Sequence, residues 1–214
     1  IAAAFPMGSL AWGVSAAYLH SEETERDAAG RPGGTFVVGD GAFSAGIGLR
    51  LTERHHIGMA AKFLSRTLYH RTASGYAGDL GYQYRRQTEG GAIWKIGLVV
   101  KNLGPEIGFV YKEKLPTEFE VALAWQPSIA LRRPLTVSIG ARKGTFQKGA
   151  NAVVGVEGTL FSRLSLRMGY VASGGSDEKL RAGFGIDLFE LGRIDFAAIR
   201  IGQLNSSLLL SLTL

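Results

Sequence analysis

Hydrophobic residues alternate with polar or small ones along almost the whole chain, at a period of two residues. In SRLSLRMGYV, residues 162 to 171, Leu164, Leu166, Met168 and Tyr170 alternate with Arg163, Ser165, Arg167 and Gly169. An extended backbone sends successive side chains to opposite faces, so this stretch is predicted to be a strand with one charged and one apolar face. The same period returns at Leu10 to Tyr18, Phe43 to Leu51, Ile57 to Phe63, Tyr76 to Tyr84, Trp94 to Val100 and Phe119 to Trp125. It continues at Leu135 to Ala141, Val154 to Leu160, Leu180 to Leu188 and Leu208 to Leu214, and Ile1 to Phe5 reads as a strand entered part-way. From Arg193 to Gly202 the apolar residues fall on both parities, Ile194 and Phe196 on one and Ile199 and Ile201 on the other, so a bulge near Ala197 is expected. No window keeps a 3.6-residue period. The chain is predicted to be all-β and a single domain over residues 1–214, with no linker.

Two arrangements can satisfy such a pattern. A soluble sandwich has strands of about five or six residues and polar outer faces. A barrel in a bilayer has tilted strands of about nine to eleven residues with the apolar parity outward. Most runs here have the longer length. The opposite parity combines glycines, among them Gly46, Gly58, Gly97, Gly155 and Gly183, with Arg50, Lys62, Asp79, Lys95, Glu120, Arg142, Glu157, Arg167, Arg181 and Asp187. Small residues mixed with charges of both signs suit a narrow, hydrated, salt-bridged interior, and these ten residues are expected to face a lumen. A closed barrel also pairs every backbone polar group between strands. The expectation is a transmembrane antiparallel β-barrel, with the sandwich as its rival.

The connections carry a second signal, because bacterial barrels have short periplasmic turns and longer outer loops. Residues 6–8, 52–56, 85–91, 162–163 and 190–193 read as tight turns. Residues 20–35, 67–75, 143–150 and 172–178 read as longer polar loops. The alternation requires residues 102–118 to form one outer excursion containing a short hairpin, and 127–134 to be periplasmic. This count of spans is odd, whereas single-chain bacterial barrels have even numbers. At least one N-terminal strand outside this chain is therefore expected, for about fourteen in the intact protein.

Composition narrows the classes. With 46% hydrophobic and 20% charged residues in 214, the chain is too apolar for disorder. The charge of +6 is dispersed along the sequence, unlike the clustered basic face of a nucleic-acid binder, so no nucleic acid partner is expected. Cysteine is absent, which removes disulfides, thiolate metal sites and cysteine nucleophiles. No apolar run approaches the length of a membrane-spanning helix.

Several motifs, in this order, resemble the PorV/PorQ family of outer-membrane proteins. They are GDGAFSAGIGLRLTERHHIGMAAKFLSRTLYHRTASGYAGDLGYQY, then KNLGP with LPTEFEVALAW, GVEGTLFSRLSLRMGY and AGFGIDLFELGRIDFAAI. The likeness runs from about Gly39 to the C-terminus. It implies a fourteen-stranded barrel related to the FadL fatty-acid channels, with an N-terminal segment, or hatch, folded into the lumen. It also implies a role beside the translocon of type IX secretion. The family's N-terminal signature is missing here, and the chain ends in SLTL without a terminal aromatic.

Catalysis finds no support. His20 and His70 fall in expected outer loops, while His55 and His56 read as solvated turn residues with no carboxylate at ligand spacing. Asp79 and Asp187 share their parity with Arg50, Arg142, Arg167 and Arg181, so salt bridging is the expected role. No cofactor or metal is expected. Trp12, Trp94, Trp125, Tyr18, Tyr84 and Tyr170 lie on the apolar parity, where an interfacial aromatic girdle would sit. Arg54, Arg85, Arg86, Arg132 and Arg133 crowd the short turns, as either a solvated rim or a docking surface for an acidic periplasmic partner. The resulting expectation is a non-enzymatic protein of the bacterial outer membrane, in contact with lipid, acting as a subunit or adaptor of a surface assembly or secretion complex. The outer loops, especially residues 21–35 and 104–118, would contact protein partners. The alternative is a FadL-like transporter of small hydrophobic ligands.

Overall fold

The computed structural model describes residues 1–128, 134–147, 149–160, 163–172, 179–188, 192–201 and 205–213. Among them lie thirteen strands and no helix. In chain order these are β1 (Ala2–Met7), β2 (Leu10–Arg26), β3 (Pro32–Arg50), β4 (His55–Leu68), β5 (Arg71–Gln87), β6 (Ile93–Leu103) and β7 (Glu118–Gln126). They continue with β8 (Leu135–Gly144), β9 (Asn151–Leu160), β10 (Leu164–Ala172), β11 (Lys179–Asp187), β12 (Arg193–Ile201) and β13 (Asn205–Thr213). The strands neighbour one another in chain order in one antiparallel sheet, with β1 and β13 as its edges. The edges do not pair with each other, so the sheet is not closed into a barrel. Each strand expected from the alternation is present.

Two compact units divide the chain: Ile1–Tyr82 with Val99–Glu118, and Gln83–Leu98 with Phe119–Leu214. In the first, β2 and β3 run for 17 and 19 residues, well past the expected ends. Their ladder continues from Leu10↔Leu49 to Thr24↔Thr35 and, after a register shift, to Arg26↔Pro32. The polar loop expected at 20–35 is therefore mostly a hairpin arm. A ladder needs only backbone partners, and Thr35, Phe36, Val37 and Val38 supply strong strand formers on one side. Asp27 closes the turn by accepting the N–H groups of Ala29 and Arg31 at 2.9 and 2.8 Å, and Gly30 takes a φ of 77° that a side chain would oppose.

The expected loop 67–75 also contracts, because β4 runs to Leu68 and β5 starts at Arg71. Tyr69 makes the turn in the left-handed region, at φ 60°, a conformation unfavourable for a bulky residue. Its N–H donates to the Val37 carbonyl at 3.1 Å and its ring stacks on Phe36 with centroids 4.6 Å apart.

Between β6 and β7, residues 104–117 form the expected excursion. Ile107 and Glu113 exchange two backbone hydrogen bonds, at 2.9 and 3.0 Å, which makes the short hairpin. Instead of projecting freely, the segment lies on β5. A Cβ at Gly75 would stand 3.1 Å from Ile107 Cδ1, and one at Gly104 would stand 2.9 Å from Leu115 Cδ1 and collide with the Tyr76 carbonyl. Ala73 and Ala77 of β5 and Leu115 of the excursion are buried.

In the second unit the ladders from β8 to β13 are unbroken among the described residues. Arg167 on β10 lies opposite Glu157 on β9 and Gly183 on β11, and β12 pairs without a shift along both β11 and β13. The bulge expected near Ala197 is absent. Phe196 keeps the apolar parity and packs on Phe184 at 5.3 Å, while Ile199 shares the parity of Asp195. The mixed pattern arises because the polar face admits an isoleucine, which leaves both ladders intact.

In both units the large apolar side chains of one face are exposed. Phe43, Met59, Ile139 and Met168 have relative exposures of 52, 55, 56 and 58%, whereas Ser165, of the opposite parity in β10, is 2% exposed. No large side chain is fully buried among the described residues. Backbone ladders hold each unit together, and among the described residues the greasy face is left largely exposed.

Candidate functional site

The polar parity carries two side-chain clusters, one in each unit. In the first, the Lys62 ammonium on β4 pairs with Asp79 on β5 at 2.7 Å, both side chains about one-fifth exposed. Asn102 near the end of β6 completes the group. Its φ of 58° interrupts the strand, and its N–H donates to Asp79 Oδ1 at 2.9 Å. Asn is among the few residues that enter this region readily, because its short amide bonds locally. Its Oδ1 accepts Lys62 Nζ at 3.0 Å, its Nδ2 donates to the Pro116 carbonyl at 3.1 Å, and its own carbonyl accepts the Thr117 hydroxyl at 3.2 Å. Lys62 and Asp79 thus hold Asn102, and Asn102 holds both ends of the 104–117 excursion.

The excursion also roofs a cavity of about 410 Å³. Ala17, Leu19, Leu64, Ile107, Leu115 and Pro116 give it apolar walls, and the ion pair of Asp40 with Arg66, 2.9 Å long, stands in its lining. This is the size and character of a small-molecule pocket, mostly apolar with a few placed polar groups.

The second cluster spans β9 to β12. Arg167 donates to Glu157 at 3.1 Å and to Asp195 at 2.6 Å, while Arg193 reaches Asp195 at 3.0 Å and Asp187 at 3.5 Å. Gly185 makes room for this network, because a Cβ there would stand 2.5 Å from Arg193 Nη2 and collide with Asp195 Oδ1. Two guanidinium groups therefore serve three carboxylates through charge-assisted bonds.

The residues singled out from the sequence fall as follows. Lys62 and Asp79 meet in one cluster; Glu157, Arg167 and Asp187 belong to the other. Arg50 approaches the Gly8 carbonyl at 3.5 Å. Lys95 and Glu120 stand half-buried on β6 and β7. Arg142 and Arg181 each have a buried Nε with no hydrogen-bond partner among the described residues. Of the arginine rim, Arg54 is exposed at its turn in the first unit, while Arg85 and Arg86, expected in a turn, are exposed within the last residues of β5, in the second. Arg132 and Arg133 lie outside the described residues, as do most of the connections at 127–134 and 172–178.

His55 is not a solvated turn residue: it opens β4, and its Nδ1 is 2.8 Å from the Tyr82 hydroxyl. Trp94 and Trp125 stack at 5.8 Å, and Trp12 stacks on Phe5 at 4.3 Å. Asn102, Asp195 and the Asp40 and Arg66 pair were not among the expected site residues. Asp195 shares the alternation of Arg193, a signal hidden by the expected bulge. Asp40 and Arg66 lie just beyond the expected alternating runs at Phe43 to Leu51 and Ile57 to Phe63, in stretches that β3 and β4 extend through.

No protein-family model matches this chain, and no curated protein is significantly similar to it.

Proposed function

We propose that this chain is the wall of a bacterial outer-membrane β-barrel, non-enzymatic, serving as a subunit or adaptor of a surface assembly or protein-secretion complex in the manner of the PorV/PorQ proteins of type IX secretion. The observation that carries the reading is the exposure of one entire apolar face while the other face is lined with glycine, alanine and ion pairs. Water does not tolerate a contiguous apolar surface beyond a few hundred Å² on a monomer, whereas hydrocarbon does. Strand direction supports this reading. With thirteen strands in an antiparallel meander, β1 and β13 run the same way, and one further strand antiparallel to both, the fourteenth, completes the cylinder. The ion-paired face then lines the lumen, and the arm at 21–35, the excursion at 104–118 and the arginine rim are the surfaces open to protein partners.

The test is extraction of the membrane-embedded protein. Solubility that depends on detergent, together with recovery of a stoichiometric protein partner, supports the reading. A monomer soluble without detergent refutes it. Replacing Arg85, Arg86, Arg132 and Arg133 by Ser abolishes recovery of the partner if the rim docks it; unchanged recovery removes the rim from the proposal.

The cavity under the excursion favours a second reading, a FadL-like transporter of small hydrophobic ligands. A co-extracted apolar ligand, lost when the cavity is filled by Ala42→Phe, distinguishes it from the adaptor.

A further inference from the structure

We propose that Arg181 anchors an oxyanion-binding site, which takes a carboxylate or phosphate group into the cavity between β10 and β13. This cavity, of about 300 Å³, is lined on the polar parity by Arg167, Gly169, Arg181, Gly183, Asp195 and Ser211. All belong to the second unit, so the site stands whether or not the sheet closes in a membrane.

The register isolates Arg181. Directly across from it are Gly169 on β10 and Ile199 on β12, neither of which offers a side-chain acceptor. Its diagonal neighbours include Arg167, a second cation, and Ala197, which is too small to fill the space. The nearby acids are already engaged. Asp195 Oδ1 accepts Arg167 Nη1 at 2.6 Å and Arg193 Nε at 3.0 Å, and its Oδ2 accepts Arg193 Nε at 3.1 Å. Glu157 is held by Arg167 and Asp187 by Arg193.

Arg181 Nε is nonetheless buried and has no hydrogen-bond partner among the described residues. A buried donor on a charged group is unfavourable until an acceptor satisfies it, and two coplanar oxygens match the guanidinium fork. Gly169, where a Cβ would meet only the Val154 carbonyl at 3.5 Å, keeps a side chain out of the space in which those oxygens fit. Arg167 is neutralised by Glu157 and Asp195, so Arg181 supplies the charge of the site, and the Ser211 hydroxyl is a further donor on the same wall.

The experiment uses the full chain in detergent micelles, labelled with ¹⁵N and followed through the arginine Nε–Hε resonances. Sodium acetate and inorganic phosphate are titrated in separate arms at constant ionic strength and low chloride. The expected result is a saturable shift of one resonance in at least one arm. That resonance is missing from the spectra of Arg181→Gln and Arg181→Lys, which assigns it even where one variant does not assemble. Ala197→Leu fills the cavity without touching the guanidinium and weakens the binding by about tenfold or more, the loss expected when a charge-assisted contact is blocked. The arm that saturates at lower concentration names the preferred group. No shift in either arm, shifts that grow without saturation, or affinity unchanged in Ala197→Leu overturns the proposal.

Discussion

Lys62 and Asp79 meet at 2.7 Å across β4 and β5, and the carboxylate of that pair also accepts the backbone N–H of Asn102. One acid therefore both neutralises a cation and fixes the left-handed residue at which the chain leaves β6. Asp79→Ala leaves the Asn102 N–H without its acceptor and strips the Lys62 ammonium of its counter-charge, leaving it only the Asn102 Oδ1. It is expected to destabilise the folded chain by about 2 kcal/mol, after discounting for partial exposure. Limited trypsin cleavage after Lys112 or Lys114 should accelerate, read as peptide release over time, while cleavage at Arg163 remains at the original rate.

Gly185 is predicted to disfavour a side chain, because the Asp195 and Arg193 atoms that a Cβ would meet are held by their ion pair. Gly185→Ala drives a methyl group into the Asp195 and Arg193 pair, and overpacking of this kind typically costs about 1–3 kcal/mol. Gly97→Ala is the control, since a Cβ there meets nothing within 4 Å, and its effect should be within about 0.5 kcal/mol. Denaturant titration in micelles reads both, and equal effects would contradict the close approach of Arg193.

The apolar face supplies a third prediction. Met168 is 58% exposed near the middle of β10, so in a bilayer Met168→Arg places a charge in hydrocarbon and should lower stability by about 2–4 kcal/mol. Urea-dependent folding into phospholipid vesicles measures it. A change below about 0.5 kcal/mol would mean that this face meets water.

Tyr69 provides a pH signature at the turn between β4 and β5. The hydrogen bond to the Glu25 carboxylate raises the Tyr69 hydroxyl above its usual range, with desolvation and the negative charge of Glu25 acting in the same direction. The neutral phenol is the favoured form in the folded state. Its contribution is fully present below the ordinary tyrosine value near 10 and is lost as pH rises through the higher folded value. A spectrophotometric tyrosine titration should lose its latest component in both Tyr69→Phe and Glu25→Gln; persistence of that component in Glu25→Gln would break the assignment.

The strands were legible because alternation is written in each one separately. Leu164 to Tyr170 identifies its own faces with no knowledge of its neighbours. The polar parity of Lys62, Asp79, Glu157, Arg167 and Asp187 was legible for the same reason, but which of them touch was not. A period of two specifies a face and leaves register open. Asn102 escaped because a left-handed residue leaves no trace in hydropathy, and the hairpin arm at 20–35 escaped because polar residues form ladders as well as loops. Asp195 was obscured by reading Ile199 and Ile201 as evidence of a slip, when the pairing of β12 with both neighbours is continuous.

The 3.2 Å bond between the Thr117 hydroxyl and the Asn102 carbonyl ties together the two feet of the excursion. Whatever lies between those feet, their separation is set by the tie and by the flanking strands. Extra polypeptide spliced in at the exposed crown, beside Val110 and Tyr111, can consequently lengthen the arch without shifting β6 against β7. An epitope tag or a fluorescent reporter belongs there, where the scaffold is indifferent to the span it carries.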